Sequence, residues 1–352
     1  MKHDLLLPCA GRSPVGRRPK WLLTTPQGDL FIRRAAATVP AHQIGRVIIG
    51  ITADDDRIYG AAEAVRRAFA TTPGLDVEII VLDDPTDGPA ETVRLMIDRA
   101  AVRGPIAIKD SDSFFKIISL PRCSFVAVCD LQANPDISQV SRKSFVLLNE
   151  QGLVSDIVEK EVCSNLISAG LYGFSDASLF VTCHDAVRAQ GNITGLFVSH
   201  IIESAIGGGE VVIASSVAGF VDLDSEENWR EYCQNHTTFV VDIDGVIVEN
   251  QSRFFSPYWE DEARPIMPNV SRLLELQRRG TQLIFMSARP ELYRDRTAAL
   301  LHSVGFDVHA LVMGCLHGRR YLINDFAASN PYPSAISINI SRNSPTLEQL
   351  LP

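Results

Sequence analysis

The 352-residue chain has little of what marks a secreted or membrane-bound protein. Its seven cysteines are odd in number and include no C-x-x-C pair, which argues against a disulfide framework and a structural zinc site. The apolar run in MKHDLLLPCAGR is too short for a signal peptide or a membrane span. We therefore expect a soluble, cytoplasmic protein with reduced, mostly buried thiols and no membrane partner.

Positive charge is also scarce, since the formal net charge is −9. A general nucleic-acid binder needs a basic surface to neutralise phosphates, so we expect no nucleic-acid partner. An acidic protein can still bind an anionic small molecule where a local cluster of basic side chains or a metal ion neutralises it. Hydrophobic residues make up 46% and charged residues 21%, as in ordinary globular proteins, and the length predicts two domains.

The first two thirds of the chain alternate short apolar runs with helical patterns. The predicted buried strands lie at 4–11, 46–52, 76–84, 105–112 and 124–130. The stretches between them have the 3.6-residue apolar spacing of helices that pack on a sheet. This alternation predicts an α/β domain with a mostly parallel sheet and helices on both faces, followed by a strand-rich stretch.

A polar segment at 234–237 separates this domain from a second α/β pattern. We predict a first domain at 1–234 and a second at 238–352, both Rossmann-like. The predicted strands of the second domain lie at 238–243, 281–288, 320–325 and 335–340, with helices between them.

Two aspartates follow the first strand of the second domain, in the stretch TTFVVDIDGVIVEN. Ligands of an open α/β sheet bind beyond the carboxyl ends of its strands, where Asp242 and Asp244 lie. One carboxylate can attack phosphorus to form an aspartyl-phosphate, and a second can serve as acid and then base. Because these carboxylates and a phosphate repel one another, the arrangement requires a divalent cation, and Mg²⁺ with oxygen ligands fits best.

Two later strand ends supply matching side chains. FMSARP ends with the hydroxyl of Ser287, suited to a phosphoryl oxygen, and RRYLINDF ends with Asp325, suited to the metal. Either Arg319 or Arg320, just before that strand, could supply a cation. A lone D-x-D after a strand is common, but three strand ends in this order are much more specific.

The stretches VVDIDGVIVEN, IFMSARPELYRDRTAALLHSVGFDVHALVMG and RRYLINDF resemble the haloacid dehalogenase (HAD) superfamily of phosphohydrolases, over essentially all of 238–352. The resemblance implies a HAD-like parallel sheet with a minimal cap, so the site is open unless the first domain or another subunit of a homo-oligomer covers it. The implied roles are Asp242 as nucleophile and metal ligand, Asp244 as general acid/base and metal ligand, Ser287 as phosphate ligand, Asp325 as metal ligand, and Arg320 or Arg319 as the cation.

The first domain carries a basic loop, LLLPCAGRSPVGRRPKWLL, directly after its first strand. Backbone N–H groups in a glycine-containing turn, together with a cluster of cations, suit a polyphosphate. A basic surface loop is the plain alternative. Asp110 and Asp112 follow the strand PIAIK, and Asp222 and Asp224 follow VAGF, so two separated carboxylate positions could hold one Mg²⁺ against nucleotide phosphates. Asp110 could instead simply cap the turn that follows it.

This half resembles the nucleoside-triphosphate transferases that make nucleotide sugars, over roughly 4–233. The resemblance rests on the basic loop, TDGPAETV, KDSDSFF, IVEKE, ISAGLYGF and GFVDLDSEENW. It implies a mixed sheet of the nucleotide-diphospho-sugar transferase type, with these roles: Gly11, Arg12, Arg18 and catalytic Lys20 at the phosphates, Gly88 at the base, Asp112 and Asp222 on Mg²⁺, and Glu159, Lys160 and Gly170 near the sugar. Where that family has a loop arginine this chain has Pro14–Val15, so Arg17 or Arg18 would take its place.

Together the two resemblances imply a bifunctional, Mg²⁺-dependent enzyme of activated-sugar synthesis for a surface polysaccharide. The first domain would transfer a nucleotidyl group from an NTP to a sugar or polyol phosphate, and the second would hydrolyse a phosphate monoester. One alternative is a HAD phosphatase whose first domain only binds a nucleotide or sugar phosphate. Another is a scaffold with two degenerate sites. Glu159 and Lys160 also have a plain reading, because an E-K-E run is most often solvated surface.

Overall fold

The structure is a computed structural model, which describes residues 2–12, 18–70, 75–135, 137, 139–191, 195–250, 259, 263–324 and 335–351. The chain divides into two compact units, Met1–Arg230 and Glu231–Pro352. The division falls within a helix, Glu226–Asn235, shortly before the end of the predicted first domain. No helix in the described ranges is long and apolar enough to cross a membrane.

In the first unit, the described residues form eleven strands. They are β1 His3–Pro8, β2 Ile44–Thr52, β3 Asp76–Leu82, β4 Ile106–Lys109, β5 Ser113–Lys116, β6 Ser124–Asp130, β7 Ser144–Leu148, β8 Val154–Glu159, β9 Leu166–Phe174, β10 Val212–Ser216 and β11 Ala218–Asp222. Nine of them form a mixed sheet in the order β10-β6-β9-β4-β1-β2-β3, with β7 beside β9 and β8 beside β7. β1, β2, β3 and β4 run parallel, and β9 runs antiparallel to β4 and β6. β5 and β11 form a separate antiparallel pair.

Helices cover both faces of this sheet, as the sequence pattern predicts. They are α1 Phe31–Ala36, α2 Ala53–Tyr59, α3 Ala61–Ala70, α4 Pro89–Arg99, α5 Ala177–Ala189 and α6 Val198–Gly207. The next helix, α7 Glu226–Asn235, spans the division between the two units. Side chains of a strand alternate between the two faces, so Leu6 joins the core under α4, α5 and α6. Leu5 and Leu7 join the core under α1 and α3. The sheet is therefore buried on both faces, which explains its continuous apolar strands.

The second unit is built around a three-stranded parallel sheet in the part of the chain described. Its strands are β12 Thr238–Asp242, β13 Gln282–Met286 and β14 Ala310–Val312, and its helices are α8 Met267–Arg279, α9 Arg294–Ser303 and α10 Leu347–Leu350. Leu283 and Phe285 of β13 are fully buried beside Val270 and Leu301 of the flanking helices. Asp242 pairs in register with Met286, so β12 and β13 end at the same edge.

Two of the predicted strands are wrong. Residues 320–324 and 335–340 form no strand, and Tyr321, Leu322 and Ile323 are mostly exposed. An apolar run shows that a segment can pair in a sheet, but pairing also needs a free strand edge in register, which the local pattern does not specify.

Candidate active site

Strand topology gathers several of the predicted polar residues at one edge of the large sheet. Asp110 directly follows β4, and its backbone N–H donates to the carbonyl oxygen of Gly170 on β9 at 2.8 Å. Gly170 has a φ of +76°, and a Cβ there would lie 2.8 Å from Asp110 Oδ2. Only glycine allows the backbone to pass this carboxylate so closely. Gly170 is therefore explained by its contact with Asp110.

The β5–β11 pair brings the two predicted metal ligands of this unit together. Asp222 pairs in register with Ser113, the residue after Asp112. The backbone N–H of Leu223 donates to the carbonyl oxygen of Asp112 at 2.9 Å. Residues more than one hundred positions apart in the sequence thus lie side by side, at the end of β4.

Two lysines neutralise this group of carboxylates. Lys143 Nζ lies 2.8 Å from Asp222 Oδ1 and 3.9 Å from Asp224 Oδ2. Lys20 Nζ donates to the backbone carbonyls of Leu223, at 2.8 Å, and Asp224. The predicted catalytic Lys20 therefore contacts the segment that carries Asp222, whereas Lys143 was not identified from the sequence.

The donor set suits Mg²⁺ only if substrate oxygens complete it. Within the described ranges, no three His, Cys, Asp or Glu side chains cluster closely enough to hold a metal ion by themselves. Mg²⁺ is commonly bound through one or two carboxylates plus substrate phosphates and water. Asp112 and Asp222 supply two such carboxylates, so these residues fit a Mg²⁺ ion whose other ligands are phosphate oxygens and water.

A fully buried lysine, Lys109, donates hydrogen bonds to the turn that follows β4. Lys109 Nζ donates to the carbonyl oxygen of Asp110 at 2.6 Å and to Ser113 Oγ at 2.8 Å, and lies 4.9 Å from the Phe115 ring centroid. Burial lowers the pKa of Lys109 to about 8, although Asp110 and Asp112 oppose that shift. This residue's role is not apparent from the sequence, because a lysine at a strand end usually reaches solvent.

The carboxylates of this edge are partly desolvated. Burial, with the negative charge of Asp112, raises the pKa of Asp110 to about 7. Burial also raises the pKa of Asp112, against the opposing effect of Lys109. Burial next to Asp110 raises the pKa of the Tyr172 hydroxyl well above its usual value. Such a concentration of perturbed groups is typical of a functional site.

Of the predicted sugar-side residues, Glu159 lies near this group and Lys160 is exposed. Glu159 Oε1 accepts hydrogen bonds from Ser144 Oγ, at 2.6 Å, and from Ser199 Oγ. Its charge also acts on Asp110. Lys160 is exposed, and its Nζ lies 5.0 Å from the Phe197 ring centroid. Glu159 is thus held in place by two hydroxyl groups and is not a freely solvated side chain.

The predicted nucleotide-side residues are less fully described. Gly11 and Arg12 follow β1 and are exposed, Arg18 lies 6.0 Å from the Tyr59 ring centroid, and 13–17 lie outside the described residues. At Gly88 a Cβ would lie 2.5 Å from the carbonyl oxygen of Leu196. Packing against that backbone is therefore sufficient to require glycine at this position.

In the second unit, Asp242, Asp244 and Ser287 meet at one strand edge, as predicted. Ser287 Oγ donates to Asp244 Oδ2 at 3.2 Å. Arg289 also pairs with Asp244, and its shortest hydrogen bonds run from Nη2 to Oδ1 at 2.7 Å and from Nε to Oδ2 at 3.0 Å. Arg289 is 5% exposed, and the sequence did not single it out although it lies in the SARP stretch.

The two candidate arginines differ in their contacts with Asp242. Arg320 Nη1 lies 3.0 Å from Asp242 Oδ2, and Arg320 Nη2 donates to Asp242 Oδ1 at 3.3 Å. Arg319 has no such contact among the described residues. The predicted metal ligand Asp325 lies outside the described residues. Each carboxylate of the D-x-D pair is therefore neutralised by its own arginine.

Comparison with solved structures relates the chain to nucleotide-sugar pyrophosphorylases. A nucleoside-diphosphate-sugar pyrophosphorylase from Vibrio cholerae RC9 is 18% identical, with a TM-score of 0.55 over 64% of this chain and 98% of that chain. A UDP-glucose pyrophosphorylase solved with UDP-glucose is 16% identical, with a TM-score of 0.50 over 66% of this chain and 97% of that chain. The chain contains their fold. This fold accounts for about two thirds of its length.

Other comparisons add no family. No protein-family model matches the sequence, and a search among curated proteins finds no relative. The likeness to pyrophosphorylases confirms the predicted nucleotidyltransferase-type sheet. The HAD-like character of the second unit stays a prediction.

Proposed function

We propose that the first unit is a Mg²⁺-dependent nucleotidyltransferase that joins a nucleotidyl group from an NTP to a sugar or polyol phosphate. The observation that carries the proposal is the β5–β11 pairing, which sets Asp112 beside Asp222, with Lys20 Nζ hydrogen-bonded to the carbonyl oxygen of Leu223, the next residue. The fold of two pyrophosphorylases over about two thirds of the chain supports it. The basic stretch that follows β1 starts at the same sheet edge.

In the proposed reaction a phosphate oxygen of the sugar or polyol phosphate attacks the α-phosphorus of the NTP. The new P–O bond forms as the bond from the α-phosphorus to the bridging oxygen breaks, and pyrophosphate leaves with that electron pair. Mg²⁺, when bound by Asp112 and Asp222, would neutralise phosphate charge. Lys20 would contribute a second positive charge, and Glu159 would accept hydrogen bonds from substrate hydroxyls. Positioning and charge neutralisation supply most of the catalysis.

Pyrophosphate release tests this proposal directly. The full-length protein is incubated with Mg²⁺, each of the NTPs in turn and a panel of sugar and polyol phosphates. We expect release with at least one pair, and loss of about a hundredfold or more in Asp112→Asn, because the carboxylate that counters phosphate repulsion is gone. Lys116→Met, which removes an exposed lysine of β5, is the matched control. No release above the Asp112→Asn background with any pair would leave the alternative of a first unit that only binds nucleotide.

We propose phosphate monoester hydrolysis as the activity of the second unit, through an aspartyl-phosphate on Asp242. The observation that favours it is the meeting of Asp242, Asp244 and Ser287 at one edge, with Arg320 beside the proposed nucleophile. Asp244 would donate a proton to the leaving alcohol and then accept a proton from the attacking water. Ser287 would donate a hydrogen bond to a phosphoryl oxygen. The two activities would form successive steps in making an activated sugar for a surface polysaccharide.

Mg²⁺-dependent release of inorganic phosphate tests the second activity. The panel contains sugar phosphates, bisphosphates, polyol phosphates and phosphorylated nucleotide sugars. Release should disappear in Asp242→Asn and persist in Asp112→Asn, which separates the two sites. Preference for a bisphosphate would place hydrolysis before nucleotidyl transfer, whereas preference for a nucleotide-linked compound would reverse the order. Equal release by the wild type and Asp242→Asn would refute the phosphatase proposal.

A further inference from the structure

Lys143 forms an ion pair with Asp222, one of the two carboxylates of the proposed metal site. Its Nζ lies 2.8 Å from Asp222 Oδ1, and the two side chains are only 12% and 8% exposed. The backbone N–H of Asp224 donates to the same oxygen at 3.1 Å, and Asn228 Nδ2 donates to Asp222 Oδ2 at 3.2 Å. A carboxylate oxygen accepts about two hydrogen bonds, so Oδ1 is already saturated.

A divalent cation and this ammonium cannot both use Oδ1. A cation bound there would have to displace Lys143, since the other donor to this oxygen is a backbone N–H in the turn after β11. A divalent cation at Asp222 and the neighbouring ammonium of Lys143 would also repel each other strongly in a partly desolvated site. The charge of Lys143 also acts on Asp110 and Asp112, so the ammonium balances the whole carboxylate group.

The backbone of Lys143 is held by a hydrogen bond, whereas its side chain can move away from Asp222 when a cation displaces it. Its carbonyl oxygen accepts a hydrogen bond from the Lys160 backbone N–H at 3.0 Å, and it directly precedes β7. Only side-chain rotation is then needed for the ammonium to leave Asp222. A flexible four-carbon stem with a compact charge suits such a movement better than a planar guanidinium.

We propose that Lys143 is a positioning residue that serves as an internal counter-ion of Asp222 and competes with the divalent cation for it. Metal-free protein keeps its carboxylates paired with this ammonium, and a divalent cation binds weakly until anionic phosphates help to hold it and receive the displaced Lys143. This inference rests on the proposed metal-dependent nucleotidyl transfer. It assigns to Lys143 a role in coupling metal binding to substrate binding.

Mn²⁺ binding to the full-length protein without nucleotide is the test, followed through the loss of the free-ion signal in electron paramagnetic resonance. Lys143→Met should bind Mn²⁺ at least about tenfold more tightly than the wild type, because the ion no longer displaces an ammonium from a desolvated carboxylate. Lys143→Arg keeps a cation at Asp222 and should stay near the wild-type affinity. The exposed-lysine variant Lys116→Met should match the wild type.

A second substitution locates the effect. The gain of Lys143→Met should vanish when Asp222→Asn is added. Thermal unfolding with and without Mn²⁺ checks that each variant is folded, and Lys143→Gln replaces Lys143→Met if the latter does not fold. Unchanged or weaker Mn²⁺ binding in the folded Lys143 variant, or a gain that survives Asp222→Asn, would overturn the proposal. Tighter binding without any pyrophosphate release would refute the proposed reaction and leave the competition established.

Discussion

Arg289→Met tests whether the ion pair between Arg289 and Asp244 stabilises the second unit. The guanidinium lies 2.7 Å from Asp244 Oδ1, and the two side chains are 6% and 21% exposed. The substitution keeps most of the apolar stem but removes the charge. Among the described residues, Asp244 would then retain the hydroxyl of Ser287, at 3.2 Å, as its side-chain donor.

The cost follows from burial of the pair. Removing one partner of a buried ion pair typically costs 3–5 kcal/mol, because a charge stays desolvated without its partner. Asp244 keeps one hydrogen bond and is about one-fifth exposed. We therefore expect a loss of about 3 kcal/mol, near the lower limit of that range, which corresponds to about a hundredfold change in an equilibrium constant.

Hydrogen–deuterium exchange of the full-length protein measures this loss within one unit. Amides of β13 should lose about a hundredfold of protection in Arg289→Met, since central strands exchange only when their unit opens. Arg279→Met is the control, because its pair with Glu275 is exposed at 51% and 38%. Breaking such a surface pair should change stability by about 0.5 kcal/mol or less.

Equal protection in Arg289→Met and Arg279→Met would refute the reasoning. A double-mutant cycle adds a stricter criterion. Asp244→Asn removes the charge that Arg289 neutralises, so Arg289→Met should cost clearly less in that background than alone. Additive costs would mean that the two side chains do not stabilise each other.

Two further predictions concern the first unit. Gly170→Ala should destabilise it by about 2 kcal/mol or more in urea unfolding, because φ is +76° and the methyl group would lie 2.8 Å from the facing aspartate oxygen. Gly152→Ala, with a similar φ of +74° but open space around it, should cost only the backbone part, and equal costs would contradict the proposed clash. Glu91 is partly buried, but hydrogen bonds from His184 and Arg188 outweigh that burial and lower its pKa, so its ionised form stabilises folding. Glu91→Gln should therefore lower the free energy of unfolding by about 1.5 kcal/mol at pH 7. In urea unfolding, this difference from the wild type should shrink as pH falls below about 4.3, where the carboxylate of the unfolded chain becomes protonated. A constant difference down to about pH 3 would contradict the prediction.

The sequence was informative about features that depend only on the local residue pattern and on position along the chain. Continuous apolar runs predicted β1 to β4 because strands buried on both faces need apolar side chains throughout. Asp112 and Asp242 were identified because parallel strands end at a common edge, which is where ligands bind. The carboxylates that the structure brings together are largely those named from their place after a strand.

Side-chain partners were much harder to predict. Lys109 and Lys143 look like ordinary basic residues in the sequence, yet one is fully buried and the other pairs with a nearly buried carboxylate. Arg289 lies two residues after Ser287, in a stretch where only the serine was predicted to act, and the segments at 320–324 and 335–340 have strand patterns without forming strands. In each case the outcome depends on which distant segment lies alongside.

The sequence by itself determined the α/β alternation and the carboxylates at the strand ends, because these depend on periodicity and chain direction. Only the tertiary structure decided which cation neutralises which carboxylate. Asp222 is placed by the pairing of β11 with β5, and Lys143 by the pairing of β7, which follows it, with β9. Arg289 meets Asp244 because β12 lies in register beside β13. Charge pairing requires contact within a few ångströms in a desolvated place, and long-range strand register sets that contact.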